Sequence, residues 1–335
     1  MKVYEVRIKP TSDFATPLQG DCLFGHICWQ IAHDSELVGE IENVLSEYDK
    51  TPFCVVSDPV MRFEANKEIR YVFPKAFAPT GSNTINATSS FDERKEAYDR
   101  RKAAKKAKWM LVSSNKKLSL NNFASLADIA KELDLEDGLK PFVEYRQSHN
   151  SIDRMTGTTG TGNAFAPFTT NGIAWSPNLE MAIFVGIRDD IPRSGIKTAL
   201  ERIGRFGYGA DATTGKGRFD VLGMEETDLS KLGDISGNAL YALSAVVPEK
   251  DTYKKVYFEP FIRYGRHGDS KAVSEYPFKQ PVLKAAAGAV LVPNQVDLLK
   301  ETYVGCAVKD VSKFTETVEQ GYALVIPMKV ENVND

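Results

Sequence analysis

Histidine, cysteine and long apolar runs are all scarce in this sequence, and each shortage removes a class of function. His26, His33, His149 and His267 are the whole histidine supply of a 335-residue chain, so acid-base chemistry near neutral pH has few candidates. Cys22, Cys28, Cys54 and Cys306 have neither the density nor the spacing of a disulfide framework. They outline no zinc site either. Cys22 and His26 stand four apart with Cys28 and His33 nearby, but Ile27 and Cys28 fall at core-facing positions and no C-x-x-C pair is present. The longest apolar runs, such as 285–293, are far too short to span a bilayer, and the charged start MKVYEVRIKP reads as a strand rather than a signal peptide. A cytoplasmic location without membrane contact is therefore expected. A G-x-S-x-G elbow, an H-E-x-x-H motif and tightly paired carboxylates are all missing, so neither a hydrolytic centre nor a metal or other cofactor is expected. No charge of one sign dominates: 42 Lys and Arg against 45 Asp and Glu leave a net charge of −3. Any nucleic-acid surface has to be local.

What is present begins with an ordinary globular composition, 42% hydrophobic and 26% charged, in a chain long enough for two domains. Tyr4, Val6 and Ile8 alternate with charged residues as in a half-buried strand, and Leu23, Phe24, Ile27, Cys28 and Ile31 recur at helical spacing behind Asp21, which is placed to cap the helix. A second helical pattern (Leu37, Ile41, Val44, Leu45, Tyr48) leads to a short strand at 53–57. Residues 80–90 have the composition of an exposed loop. Residues 91–110 carry Arg94, Lys95, Arg100, Arg101, Lys102, Lys105, Lys106 and Lys108 on strong helix formers, which reads first as a solvated helix face. A strand over 109–112 and a short helix over 128–135 follow.

Residues 148–176 have the most unusual composition. Extended arms over 143–155 and 164–175 flank a tip of almost nothing but Thr and Gly, which predicts a long hairpin whose end cannot join a core and must project. Next come an alternating strand at 181–187, a helix at 193–203, the stretch IGRFGYGADATTGKGRFDV from 203 to 221, and a strand at 219–222. That stretch places five glycines among Arg205, Lys216 and Arg218, as suits a mobile loop that turns backbone N–H groups towards phosphate. It is not a P-loop, because five residues separate Gly209 from Gly215 and Gly217 stands where Ser or Thr would bind magnesium. The element order is β-α-β, insertion, β-α-β, a ferredoxin-like or RRM-like arrangement with a large excursion in its middle. After the polar boundary at 228–238 the chain is mostly strand, over 239–247, 256–264, 281–292, 303–308 and 322–330. The fold class expected is therefore α+β: two ferredoxin-like/RRM-like domains, 1–225 with its insertion at about 80–140, hairpin at about 143–175 and loop at 204–218, and a degenerate β-rich domain at 226–335.

Three phosphate-friendly surfaces stand out: the helix start at Gln19, Gly20 and Asp21, the hairpin, and the glycine loop. Phe206, Tyr208 and Phe219 interleave with the cations and are candidates to stack on splayed bases, as on RRM-like sheets that take single-stranded RNA. His33–Asp34 forms an HD dipeptide without the second histidine pair that metal-dependent phosphohydrolases need. His149, beside Asn150 and near Arg154, is open to three readings: stacking on a base, general-base cleavage of RNA without metal, or a local hydrogen bond within the hairpin.

The motifs LQGDCLFGHICW, HNSIDRMTGTTG followed by FAPF, and GYGADATTGKGRFDV together resemble the RAMP proteins of type III CRISPR effectors, specifically the Csm-complex subunit that caps the 5′ tag of the crRNA. The resemblance covers residues 1 to about 225. It implies two RRM-like domains, a thumb-like hairpin, no nuclease activity, and a place between the large polymerase-like subunit and the first backbone RAMP subunit, near the target RNA, in antiviral defence. Carried over by motif, it puts His149, Asn150, Ile152, Arg154, Thr156 and Gly157 of the hairpin, Arg205, Tyr208, Lys216, Gly217 and Arg218 of the loop, and Gly20 and Asp21 on the RNA path. The competing reading within the same superfamily is a metal-independent endonuclease of repeat RNA with His149 as base. A nucleotide-binding role for the glycine loop is weaker still.

Overall fold

The computed structural model describes residues 1–65, 67–78, 90–136, 139–159 and 166–331. Most of the loop expected at 80–90 and the very tip of the hairpin lie outside these residues. Alternation at Tyr4, Val6 and Ile8 gives strand β1 (Lys2–Pro10), and the helical stripe that follows gives α1 (Gly20–His33). The second helical pattern is broken by Gly39 into a 3₁₀ turn and the short α2 (Ile41–Ser46), before β2 (Cys54–Val56). The excursion contributes β3 (Val60–Ala65), β4 (Glu68–Pro74), α3 (Phe91–Lys106), β5 (Trp109–Ser113), β6 (Phe123–Ala124), α4 (Leu126–Glu132) and the hairpin β7 (Phe142–His149) and β8 (Phe168–Trp175). The chain then returns through β9 (Glu180–Ile187), α5 (Arg193–Phe206) and β10 (Phe219–Glu226).

The strand pairing puts β1 between β10 and β9, with β2 and β3 both pairing along β9, all antiparallel. The β3–β4 hairpin was not foreseen from the sequence; it extends the sheet through β5 to β6. Helices α1 and α5 lie side by side on this sheet, burying Leu23, Ile27 and Ile31 from one and Ile196, Ala199 and Leu200 from the other against Val6, Ile8, Ile183 and Val185. Each Leu, Ile or Val side chain among them contributes about 1.5–3 kcal/mol by leaving water.

The remaining strands are β11 (Ala239–Ala242), β12 (Tyr253–Tyr257), β13 (Pro260–Arg263), β14 (Val282–Ala285), β15 (Val290–Pro293), β16 (Tyr303–Gly305) and β17 (Tyr322–Met328). Two of the runs read as single strands are each broken in two. Residues 256–264 turn from β12 into β13, and 281–292 from β14 into β15, and the two halves enter different sheets: β12-β15-β11-β17-β16, and the ribbon β13-β14. Between 226 and 331 the described residues hold 3₁₀ turns but no α-helix. One apolar core runs through both halves, since Tyr241, Val290, Leu324 and Ile326 pack in the same cluster as Val6 and Leu23. Polar contacts reinforce the seam. The Gln320 side chain imitates a neighbouring strand: its Oε1 accepts from Val56 N at 2.9 Å and its Nε2 donates to Val56 O at 2.8 Å. Among the described residues, no helix is long and apolar enough to cross a membrane.

Candidate nucleic-acid interface

The hairpin is a two-stranded ribbon joined to the rest of the chain near its base. β7 and β8 pair with each other over eight residues, from Phe142↔Trp175 to His149↔Phe168, Ile173 of β8 also exchanges both backbone hydrogen bonds with Phe14, and apart from Gly172 every residue of the two strands is exposed or partly exposed. A two-stranded ribbon without a packed face is marginal on its own, so its base has to be held. It is held by the backbone bridge from Ile173 to Phe14, by aromatic contact and by one polar relay. Phe142 lies against Trp175 and Trp109 at 5.5 and 6.1 Å between ring centroids, and Trp175 meets Phe14 edge-on at 6.4 Å. Tyr145 Oη donates to Asp13 Oδ2 at 2.6 Å and accepts from Lys216 Nζ at 3.1 Å, while the Lys216 ammonium also lies 5.2 Å from the Tyr145 ring. That relay fastens the hairpin base to the glycine loop.

Towards the tip, the His149 ring stacks on Phe168 (5.1 Å, 14°) and its Nε2 contacts Thr170 Oγ1 at 2.9 Å, the local arrangement among the three readings of this residue. Asn150, Ile152, Arg154, Thr156 and Gly157 continue outward with exposed side chains or backbone. Asp153 organises them: its carboxylate accepts from Met155 N at 2.8 Å and its carbonyl from Gly157 N at 2.8 Å. Met155 is 94% exposed at the end of the ribbon.

The glycine loop is folded more tightly than an open phosphate cradle. Gly217 N donates to Asp13 O (2.7 Å), Arg218 N to Ser12 Oγ (2.8 Å), Ala210 N to Thr16 Oγ1 (3.0 Å) and Tyr208 N to Gly217 O (2.9 Å), so many of its amides already have partners on the segment 12–16 or within the loop. Tyr208 is fully buried against Phe14 and His26, and its hydroxyl donates to Pro17 O and accepts from Gln19 N. It is therefore a floor under the loop, not a stacking platform, and Phe219 is core likewise. Phe206, 68% exposed, is the aromatic left facing solvent, with Arg205 and Arg218 also exposed. Neither arginine has an ion-pair partner among the described residues. Gly217 sits at φ +74°, and a Cβ there would overlap the Tyr208 carbonyl oxygen. Gly217→Ala is expected to cost about 1–3 kcal/mol through strain and displacement of Tyr208. Urea unfolding measures it, and an unchanged midpoint would show that the loop does not need this fold.

The start of α1 departs from the sequence expectation. Asp21 lies one residue inside the helix, and its carboxylate turns away from the backbone to Arg263 (Nη2–Oδ1 2.7 Å, Nε–Oδ2 3.0 Å) and Lys284 (Nζ–Oδ2 2.7 Å), all three residues being largely buried. Asp21 thus holds the β13-β14 ribbon to α1 and presents no charge to a ligand. The free N–H at the helix start is satisfied from a distance instead: Gly20 N donates to Asp58 Oδ1 at 2.8 Å. Gly20 itself is buried against the backbone at Val56 and Ser57, where any side chain would clash. Burial alone would raise the Asp21 carboxyl, but Lys284 and Arg263 outweigh it and hold the group below the usual carboxylate range.

Asp58 goes the other way. Burial pushes its carboxyl up to about 7, against the pull of the Gly20 N–H and with a push from Asp21. A carboxyl whose folded pKa is raised keeps its proton in the folded chain while the unfolded chain loses it, so this group makes stability fall as pH rises from about 4 to about 7 and then level off. Asp58→Asn keeps an oxygen for Gly20 N–H and cannot ionise. Relative to wild type, the variant is expected to gain stability progressively between those pH values in urea unfolding; a difference that is flat with pH would contradict this.

The other sequence candidates separate. His33 Nε2 contacts Asp269 Oδ2 at 2.8 Å whereas Asp34 pairs with Arg202 at 2.8 Å, so the HD dipeptide faces two different partners. Burial pushes the thiols of Cys22 and Cys28 up to about 11 and about 12. Of the residues carried over by motif, the structure joins Lys216 and Gly217 to the hairpin base, leaves His149, Asn150, Ile152, Arg154, Thr156 and Gly157 along the ribbon and Arg205 and Arg218 exposed, and places Gly20, Asp21 and Tyr208 inside. Tyr145 and Asp13, which weld the hairpin to the loop, were missed, as were Arg263, Lys284 and Asp58. The available signal was a lone cation, Lys284, in the apolar and largely buried strand VLKA, since a charge in a buried strand needs a buried partner.

No family model matches this chain, and no curated protein matches it in sequence. Solved structures do match in fold. A chain of the Csm3-Csm4 subcomplex in the type III-A CRISPR-Cas interference complex aligns at TM-score 0.59 and 12% identity, covering 98% of this chain and 100% of its own. A chain of the Csm1-Csm4 cassette in complex with cA4 aligns at 0.54 and 14% identity, and one from the cassette with AMPPNP at 0.52 and 15%, each over 99% of this chain and 98% of its own. These identities speak for architecture alone, and the architecture is one in which the hairpin and the C-terminal sheets are included, since the alignments run nearly end to end. This chain has the fold of the chains aligned in those Csm3-Csm4 and Csm1-Csm4 structures.

Proposed function

We propose that this chain is a non-catalytic RNA-binding subunit of a type III-A CRISPR-Cas effector complex in the cytoplasm, capping the 5′ tag of the crRNA and joining the large polymerase-like subunit to the backbone RAMP subunit. The observation that carries the reading is the relay Asp13–Tyr145–Lys216, which fixes a projecting ribbon beside a loop bearing two exposed arginines. A ribbon and a cationic loop mounted together form two sides of a clasp for a ribose-phosphate strand, with Phe206 and the ribbon tip available to bases. In this reading the β1-α1-β2, β9-α5-β10 frame is the first ferredoxin-like unit and the sheet of 226–331 a second one stripped of its helices. The neighbours' printed assemblies, with Csm3 and with Csm1, supply the partners proposed here. Support for a non-catalytic role comes from His149, whose Nε2 is engaged by Thr170 and whose ring is stacked on Phe168.

Filter binding of guide RNA with and without its 5′ tag, over a salt series, tests the proposal. Tighter binding of tagged RNA that weakens with salt, with RNA recovered at full length, is expected. Equal affinity for both RNAs would remove the capping role. Cleavage that disappears in His149→Ala would replace it with the endonuclease reading.

A further inference from the structure

Helix α3 makes little use of the fold that carries it. All its described side chains are exposed except Ala104, which is half-buried, and the helix is closed at its own N-terminus by a capping box between Ser90 and Glu93. Lys75 Nζ, donating to Ala104 O at 2.5 Å, is a tether near its far end. Helices of globular proteins usually earn their place by burying an apolar stripe, and none is buried among the described side chains of this one. Its large apolar rings, Phe91 (79% exposed) and Tyr98 (64%), stand in solvent.

The charges are sorted around the helix. At 3.6 residues per turn, Phe91, Lys95, Tyr98, Lys102 and Lys105 fall within a sector of roughly 80°, while Asp92, Glu96 and Asp99 fall to one side of it. A helix kept soluble by charge alone has no need to sort it, nor to line two aromatic rings up with the cations. Cations interleaved with exposed rings are what a single-stranded nucleic acid uses, phosphates to the ammonium groups and bases to the ring faces. An acidic protein surface would engage the lysines but has no use for the rings.

Position agrees with chemistry. Only two residues lie between Lys106 and Trp109, at most about 11 Å of chain, and the Trp109 ring packs against Phe142 at the hairpin base. The basic end of the helix therefore adjoins the proposed clasp. We propose that α3 is a second contact surface for single-stranded RNA, taking up the strand where it leaves the hairpin. This rests on the RNA-binding reading above.

The test uses the full chain and fluorescence anisotropy with labelled oligouridylates of about 6 and about 20 nucleotides, a short and a long site. Lys102→Ala/Lys105→Ala is expected to weaken the long RNA about 25-fold at about 0.1 M salt and to make its salt slope shallower by about 1.4, with the short RNA unchanged. Tyr98→Ala is expected to weaken the long RNA at least about fivefold, with little change in slope. Alanine favours helix, and circular dichroism confirms that α3 persists. If the α3 variants bind both RNAs like wild type while alanines at Arg154, Arg205 and Arg218 lose both, this proposal falls and the clasp stands. If neither set changes binding, the RNA-binding reading falls and takes this proposal with it. An α3 variant that binds RNA normally but no longer co-purifies with other subunits would assign the face to protein and overturn the inference.

Discussion

Replacing Arg154, Arg205 and Arg218 together by alanine is expected to weaken single-stranded RNA binding about 100-fold at about 0.1 M salt and to make the salt slope shallower by about 2, since each lost phosphate contact removes about 0.7 from the slope. These three side chains are exposed and without an ion-pair partner among the described residues, so the substitutions take away charge without opening a core. Tyr145→Phe separates charge from posture. It removes the hydroxyl that joins Asp13 to Lys216 while leaving every cation in place, so affinity should fall with the salt slope unchanged. A fall in affinity with an unaltered slope in the triple variant, or a normal affinity in both, would mean that RNA does not lie between ribbon and loop.

Lys284→Ala is expected to destabilise the fold by about 3–5 kcal/mol, the usual consequence of removing one member of a buried charge group. The ammonium donates to Asp21 Oδ2 at 2.7 Å and to Gln320 O at 2.9 Å, and forms an ion pair with Glu319 Oε1 at 2.6 Å. Asp21 retains Arg263 after the substitution, but the buried Glu319 loses its cation, and neither of its oxygens has a hydrogen-bond partner among the described residues. The double variant Lys284→Met/Glu319→Gln should recover part of the loss, because the orphaned carboxylate goes with the lysine. Urea unfolding of the three proteins decides the matter. A Lys284→Ala midpoint equal to wild type would show that the Lys284 charge group does not help to hold the two halves of the chain together.

The frame of the fold was legible because its signals are local. Alternation in β1 and β9 and helical spacing in α1 and α5 fix elements that need no knowledge of their neighbours, and the Thr- and Gly-rich tip announces a ribbon because it offers nothing to bury. What escaped depends on pairing across the chain. Tyr145 meets Lys216, Asp21 meets Lys284, and Gly20 meets Asp58 over separations of 71, 263 and 38 residues, which no periodicity reports. The same blindness explains why Asp21 read as a helix cap and Tyr208 as a base-stacking ring: the first is drawn away by Arg263 and Lys284, and the second is covered by Phe14 and His26. The strands that split at 257–260 and 285–290 read as continuous because Phe258 in the first turn and Ala286, Ala287 and Ala289 in the second carry the apolar character across.

Photo-crosslinking of guide RNA carrying 4-thiouridine in its 5′ tag, followed by mass spectrometry of the adducts and a denaturing gel of the RNA, tests the clasp most directly. Adducts on the ribbon between His149 and Thr158 and on the loop between Arg205 and Arg218, with the RNA at full length, are the predicted result. Adducts confined to the sheets beyond residue 226, or RNA shortened during the incubation, would contradict it.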